Sequence, residues 1–130
     1  MTTPVPWGRE FLVNSIVAFS QGDPAVSALA DGRFVVVWSD LSQTPGDTSL
    51  YAVRGQIFRA DGSPSGAEFL VNTTTQGAQF TPVVTGLAGG RFVVAWRDDS
   101  FTGGDTSGAA VRAQVFGPGG GKLGGEFLLP

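Results

Sequence analysis

Two stretches of this chain carry oxygen-bearing side chains in the same order. The first reads Asp40-Leu41-Ser42-Gln43-Thr44-Pro45-Gly46-Asp47-Thr48-Ser49, the second Asp98-Asp99-Ser100-Phe101-Thr102-Gly103-Gly104-Asp105-Thr106-Ser107. Hard oxygen donors on a glycine-rich backbone suit Ca²⁺, which takes roughly six to eight oxygens. The candidate ligands are Asp40 and Asp47 in the first stretch and Asp98, Asp99 and Asp105 in the second. Their spacing matches neither an EF-hand nor a Gly-rich nonapeptide loop. So few carboxylates per loop leave most of a calcium shell to backbone and water. The expectation is therefore that Asp47 and Asp105 close Asx-turns over their own loops and that no cofactor is held, with calcium as the alternative.

Aromatic and basic side chains supply a second set of candidates. Trp38 and Trp96 could each stack on a sugar ring, but Trp38 lies in phase with Phe34 and Val36, and Trp96 with Phe92 and Val94. That phase makes core packing the first expectation for both. Trp7 and Phe101 fall in a terminal segment and a loop, which makes them the better exposed platforms for a glycan. Arg54 and Arg112 sit mid-strand, with Glu68 and Glu126 across the following turn. A charge in such a place must be paired, so an Arg–Glu bridge between adjacent strands is expected, and an Arg that grips a carboxylate or a sugar is the alternative. Gln21, Gln56, Gln79 and Gln114 recur with the same spacing, and buried amides bonded to backbone explain them as well as ligand contacts do. Paired carboxylates for glycoside hydrolysis can be imagined among Asp98, Asp99 and Asp105, but nothing in the spacing fixes their separation. The chain has no His and no Cys, which removes the commonest general base and every thiolate ligand. The reading is a protein that is not an enzyme.

The elements that must position these residues come in two copies. Gly8-Arg9-Glu10-Phe11-Leu12-Val13-Asn14 returns 58 residues later as Gly66-Ala67-Glu68-Phe69-Leu70-Val71-Asn72, and a third time as Gly124-Gly125-Glu126-Phe127-Leu128. Without any gap, 30 of the 58 paired positions are identical, so one supersecondary unit has been used twice. The organisation expected is a single repeat domain over 1–130, with repeat 1 at 8–65, repeat 2 at 66–123 and a partial third repeat at 124–130.

Within a repeat the signals are those of strands. Short apolar runs at 24–29, 33–38, 52–58 and 68–72 are separated by turn residues such as Asp31-Gly32 and Asp61-Gly62. The second copy places strands at 82–87, 91–97, 110–116 and 125–129, and a further copy of the last strand at 10–14 makes nine. No segment carries apolar residues at helical spacing over a helical length. The run Phe34-Val35-Val36-Val37-Trp38 is apolar on both faces, which requires a strand covered on both sides. The fold class expected is all-β: antiparallel four-stranded repeats like β-propeller blades, two per chain plus an extra strand. The alternative is a nine-stranded sandwich or barrel. Two blades do not close a ring of roughly four to eight, so the chain is expected to be a homo-oligomer or part of a longer array.

Composition narrows the partners. Eight basic residues against eleven acidic give a net charge of −3, and the basic ones are scattered rather than gathered in a stripe, so nucleic acid is not an expected partner. No apolar run reaches the roughly 18 residues of a membrane span, so no membrane insertion is expected. Residues 1–7 lack the basic and apolar regions of a signal peptide.

The repeat also resembles a known kind of sequence. The residues that carry the likeness are Gly66 to Thr73, Gln79 to Trp96 and Val111 to Phe116, with their first-copy counterparts. They resemble tandem repeats of very large exported bacterial proteins of haemolysin-like, adhesin-like or calcium-binding type. In architecture alone the chain is similar to small bacterial lectins that build a propeller from two-bladed protomers. These likenesses imply a secreted or cell-surface bacterial setting and a non-catalytic binding module. That module would recognise carbohydrate at symmetry-related sites or serve as a structural spacer in a calcium-dependent adhesin.

Overall fold

The structure is a computed structural model that describes residues 10–13, 21–41, 51–73, 78–99 and 110–129. It consists of two antiparallel four-stranded sheets, one per repeat, that share no strand and do not close into a barrel. The first sheet runs β1 (Gln21–Ala28), β2 (Phe34–Asp40), β3 (Ala52–Phe58) and β4 (Phe69–Leu70), each beside the next. The second repeats that order with β5 (Gln79–Gly86), β6 (Phe92–Asp98), β7 (Ala110–Phe116) and β8 (Lys122–Leu128). A single 3-10 turn at Ala88–Gly90 is the only helical element among the described residues. None of these elements is a helix long and apolar enough to cross a membrane.

The turns follow from their residues. In the β1–β2 hairpin Gly32 takes φ 84°, a conformation that a Cβ would strain, and the Leu29 N–H donates to the Arg33 carbonyl at 2.8 Å. The matching hairpin has Gly89-Gly90 where the first has Asp31-Gly32, and the extra glycine freedom lets the 3-10 turn form. Both first strands carry a bulge, between Gly22 and Ala25 and between Phe80 and Val83. At its centre sit Asp23 (φ 50°) and Thr81 (φ 56°), the only non-glycine residues with positive φ among those described. A left-handed threonine is costly, so the recurrence of this conformation at Asp23 and Thr81 marks the bulge as a feature of the repeat.

Alternation along β2 and β3 gives each sheet two unlike faces. Val35, Val37, Val53 and Ile57 form an aliphatic face, and Phe34, Val36, Trp38 and Phe58 an aromatic one. In the second sheet the counterparts are Val93, Ala95, Val111 and Val115, and Phe92, Val94, Trp96 and Phe116. The main core lies where the aliphatic face of the first sheet meets the aromatic face of the second. The sheets are thus stacked head to tail, each presenting the same face to the same side. Phe69 completes the joint: its ring lies 5.5 Å from that of Phe116 and 6.3 Å from that of Phe92. Gly55 permits this, because a Cβ there would lie 2.7 Å from the Phe69 ring.

Nine strands were expected and the described residues hold eight. The missing one is at 10–13. Its counterpart Phe69–Leu70 pairs with β3, and no third strand lies ahead of 10–13 among the described residues to offer that edge. The segment attaches by side chains instead: Phe11 lies 5.3 Å from Phe58, and Val13 packs on the cluster of Val36, Trp38 and Phe58. Several boundaries also move, the expected 68–72 strand shrinking to Phe69–Leu70 among them. The first strands begin before their prolines, at Gln21 and Gln79, because the bulge lets pairing resume beyond it, and β8 starts at Lys122 rather than 125.

Candidate functional site

One end of each sheet gathers its buried charged side chains. In the first, Arg54 Nε lies 3.2 Å from Glu68 Oε1 and 3.4 Å from Asp40 Oδ2, and Gln21 Nε2 donates to Asp40 Oδ1 at 3.2 Å. Strand register sets this up: Gln21 stands opposite Asp40, and Arg54 opposite Leu70 two residues from Glu68. In the second, Arg112 Nε donates to Asp98 Oδ2 and its Nη1 lies 3.7 Å from Glu126 Oε1, while Gln79 Nε2 donates to Asp98 Oδ1 at 3.0 Å. These arginines and their carboxylate partners are nearly fully buried, so each charge depends on its neighbours for the solvation that water would have given.

The second cluster is also stitched to the first sheet. Asn72 Nδ2 donates to Gln79 Oε1 at 3.3 Å, and Asn72 Oδ1 accepts from the Val53 N–H at 2.9 Å. Glu126 Oε2 accepts from the Thr73 N–H at 2.8 Å. This is a chain of satisfied polar contacts across the joint between sheets, suited to fixing their register.

Arg54 and Arg112 therefore come together with Glu68 and Glu126, and the structure adds Asp40 and Asp98 as further partners. Sequence reasoning placed those two aspartates in the loops, although the matched Gln21–Asp40 and Gln79–Asp98 spacing carried the signal. Asn72 was missed as a connector, because nothing in its sequence position says which sheet it faces. Asp99 pairs with Arg97 at 3.2 Å on the surface. Among the described residues no group of three or more acidic side chains is placed to hold a metal ion. Asp47, Asp105, Phe101 and Trp7 lie outside the described residues.

Trp38 and Trp96 lie on their strands at 3% and 1% exposure, packed on the aromatic faces. Both indole N–H groups are buried with no hydrogen-bond partner among the described residues. Trp96 is covered by the first sheet. Trp38 lines an open pocket of about 190 Å³ together with Val13, Gln21, Gly22, Pro24 and Val36.

The molecule's most distinctive surfaces are the two sheet faces that the internal joint leaves over. At one end lies the aromatic face of the first sheet, whose Val36, Trp38 and Phe58 are buried and which opens only at that pocket. At the other lies the aliphatic face of the second sheet, where Val83 is 61%, Val111 47% and Phe127 44% exposed. A shallow pocket of about 140 Å³ runs among Val83, Val84, Thr85, Val93 and Ala95 on that side. Apolar side chains grouped on one face, rather than scattered, mark a surface built for contact. Comparison with known protein families, with characterised proteins and with solved structures returns no match in any of the three.

Proposed function

We propose that this chain is a non-catalytic assembly module, a blade-like repeat unit that stacks with further copies of itself into a propeller-type or linear array. One observation carries the reading: a head-to-tail joint between two near-identical sheets leaves the aliphatic face of the second sheet exposed at one end, and at the other the matching aromatic face of the first sheet, which no second sheet covers among the described residues and on which Phe11 and Val13 pack. A heterologous contact of this kind continues until a ring closes or a filament grows. Fully burying an exposed Val or Phe contributes about 1.5–3 kcal/mol, and the half-exposed Val83, Val111 and Phe127 would each supply part of that against the cost of association. The described carboxylates of both polar clusters are engaged by arginine, which supports a structural rather than a chemical use for them.

A glycan or calcium role, in the secreted or cell-surface setting that the sequence resemblance implies, would rest on residues 42–50 and 100–109 and on Trp7. The assembly reading stands without it. Sedimentation velocity across a concentration series tests the proposal. Association that grows with concentration is expected, and a single monomeric species at every concentration overturns it.

A further inference from the structure

The internal joint is a template for the external one, because every residue in it has a counterpart 58 positions away. Resting on the assembly reading, we infer a specific docking mode between copies. The aliphatic face of a second copy's second sheet, with Val83, Val93, Val111 and Phe127, seats on the aromatic face of this chain's first sheet. Residues 10–13 hold that seat until the second copy takes it.

Two polar contacts of the internal joint translate to this surface, and a third changes character. Ser27 Oγ accepts from the Gly86 N–H at 3.0 Å, and the counterpart of Ser27 is Thr85, which keeps the hydroxyl. Arg33 Nη1 donates to the Pro118 carbonyl at 2.6 Å, and its counterpart is Arg91, which keeps the guanidinium. Ser39 Oγ accepts from the Thr81 N–H at 3.0 Å. In the external joint these two positions become Arg97 on one copy and Asp23 on the other. The backbone donor at that position thus loses its acceptor, since a guanidinium only donates, and opposite charges, each engaged within its own copy by Asp99 and Ser39, come to face each other instead. That favours the external pairing and its polarity, since Arg97 against Arg97 or Asp23 against Asp23 would repel.

The aromatic contacts identify the placeholder. Inside, Phe69 lies on the stacked pair Phe92–Phe116, whose centroids are 5.0 Å apart. At the free end the matching pair is Phe34–Phe58, 5.3 Å apart, and the ring on Phe58 is the chain's own Phe11. Phe11, Phe69 and Phe127 occupy the same place in three successive copies of the Glu-Phe-Leu segment. Phe11 therefore fills the position that Phe127 of the second copy would take, and docking requires one to displace the other. One position fits less closely. Gly86 faces the Ala28 carbonyl so tightly that a Cβ there would lie 2.5 Å from the oxygen, and the counterpart of Gly86 is Ala28, which has that Cβ.

The test is sedimentation velocity on the full chain and on four variants, with thermal melting of dilute samples to show that each variant folds. Val111→Asp and Arg97→Glu change exposed side chains on the donor face and should raise the midpoint concentration for association at least tenfold, with little change in melting. Phe11→Ala empties the seat and Ala28→Gly relieves the crowded position, so both should lower that midpoint. If the wild type associates but Val111→Asp and Arg97→Glu associate equally well, this docking mode is wrong while the assembly reading stands. If Phe11→Ala weakens association, the segment is not a placeholder. If the wild type is monomeric at every concentration, docking mode and assembly reading fall together.

Discussion

Val53 and Val111 occupy the same position of the repeat, yet Val53 is 0% exposed and Val111 is 47% exposed. One side chain with one strand register thus has two environments, because only the first sheet has a neighbour over its aliphatic face. Truncation should separate them. Val53→Ala removes buried methyls and leaves a void, at a cost of about 2 kcal/mol. Val111→Ala should change stability by no more than about 0.5 kcal/mol in the monomer. Urea unfolding of both variants at low concentration measures the pair, and equal losses would mean that Val111 is covered.

Gly55 gives a second test of the joint. A methyl there would lie 2.7 Å from the Phe69 ring and 3.3 Å from Val37 Cγ1. Gly55→Ala should therefore destabilise by about 1–3 kcal/mol, the usual range for overpacking. In the second repeat the same pair of positions is Ala95 and Ala113. Placing Gly55→Ala on a Val37→Ala background should accordingly cost less than on the wild type. A double-mutant cycle reads the coupling, and strict additivity would show that the two side chains do not share the space.

Arg112 is expected to be the most sensitive polar position. Removing it leaves Asp98 and Glu126 facing each other, buried, without their cation. Arg112→Ala should cost about 3–5 kcal/mol, whereas the surface variant Arg97→Ala, on a pair that water already solvates, should cost about 0–1 kcal/mol. Chemical denaturation of both variants provides the comparison.

Two exposed aspartates set a pH expectation. The side-chain hydrogen bond from Arg33 holds Asp31 below its ordinary value of 3.8, and the hydroxyl of Ser63 does the same for Asp61. Since the folded values are the depressed ones, both contributions are present above the ordinary value and fade as pH falls through the folded value. Carboxyl NMR titration should find both midpoints below 3.8, and Arg33→Gln should move Asp31 back toward it while leaving Asp61 unchanged.

What the sequence determined by itself was the unit. The fixed 58-residue offset, the two-sided apolar run Phe34 to Trp38 and the Asp31-Gly32 turn specify four short antiparallel strands, twice, because those are local matters of alternation and turn chemistry. The Arg–Glu bridges were legible too, since a mid-strand arginine has to find a carboxylate across the next turn. Which face meets which was not legible. Both faces are apolar in both repeats, so alternation alone leaves every stacking open. The tertiary structure decided it through side-chain shape: Gly55 makes room for Phe69, and Phe69 needs the stacked rings of Phe92 and Phe116 beneath it. It also decided the fate of residues 10–13. Their sequence is that of β4, but a strand forms only beside a partner edge, and among the described residues none is offered, so they pack through Phe11 and Val13.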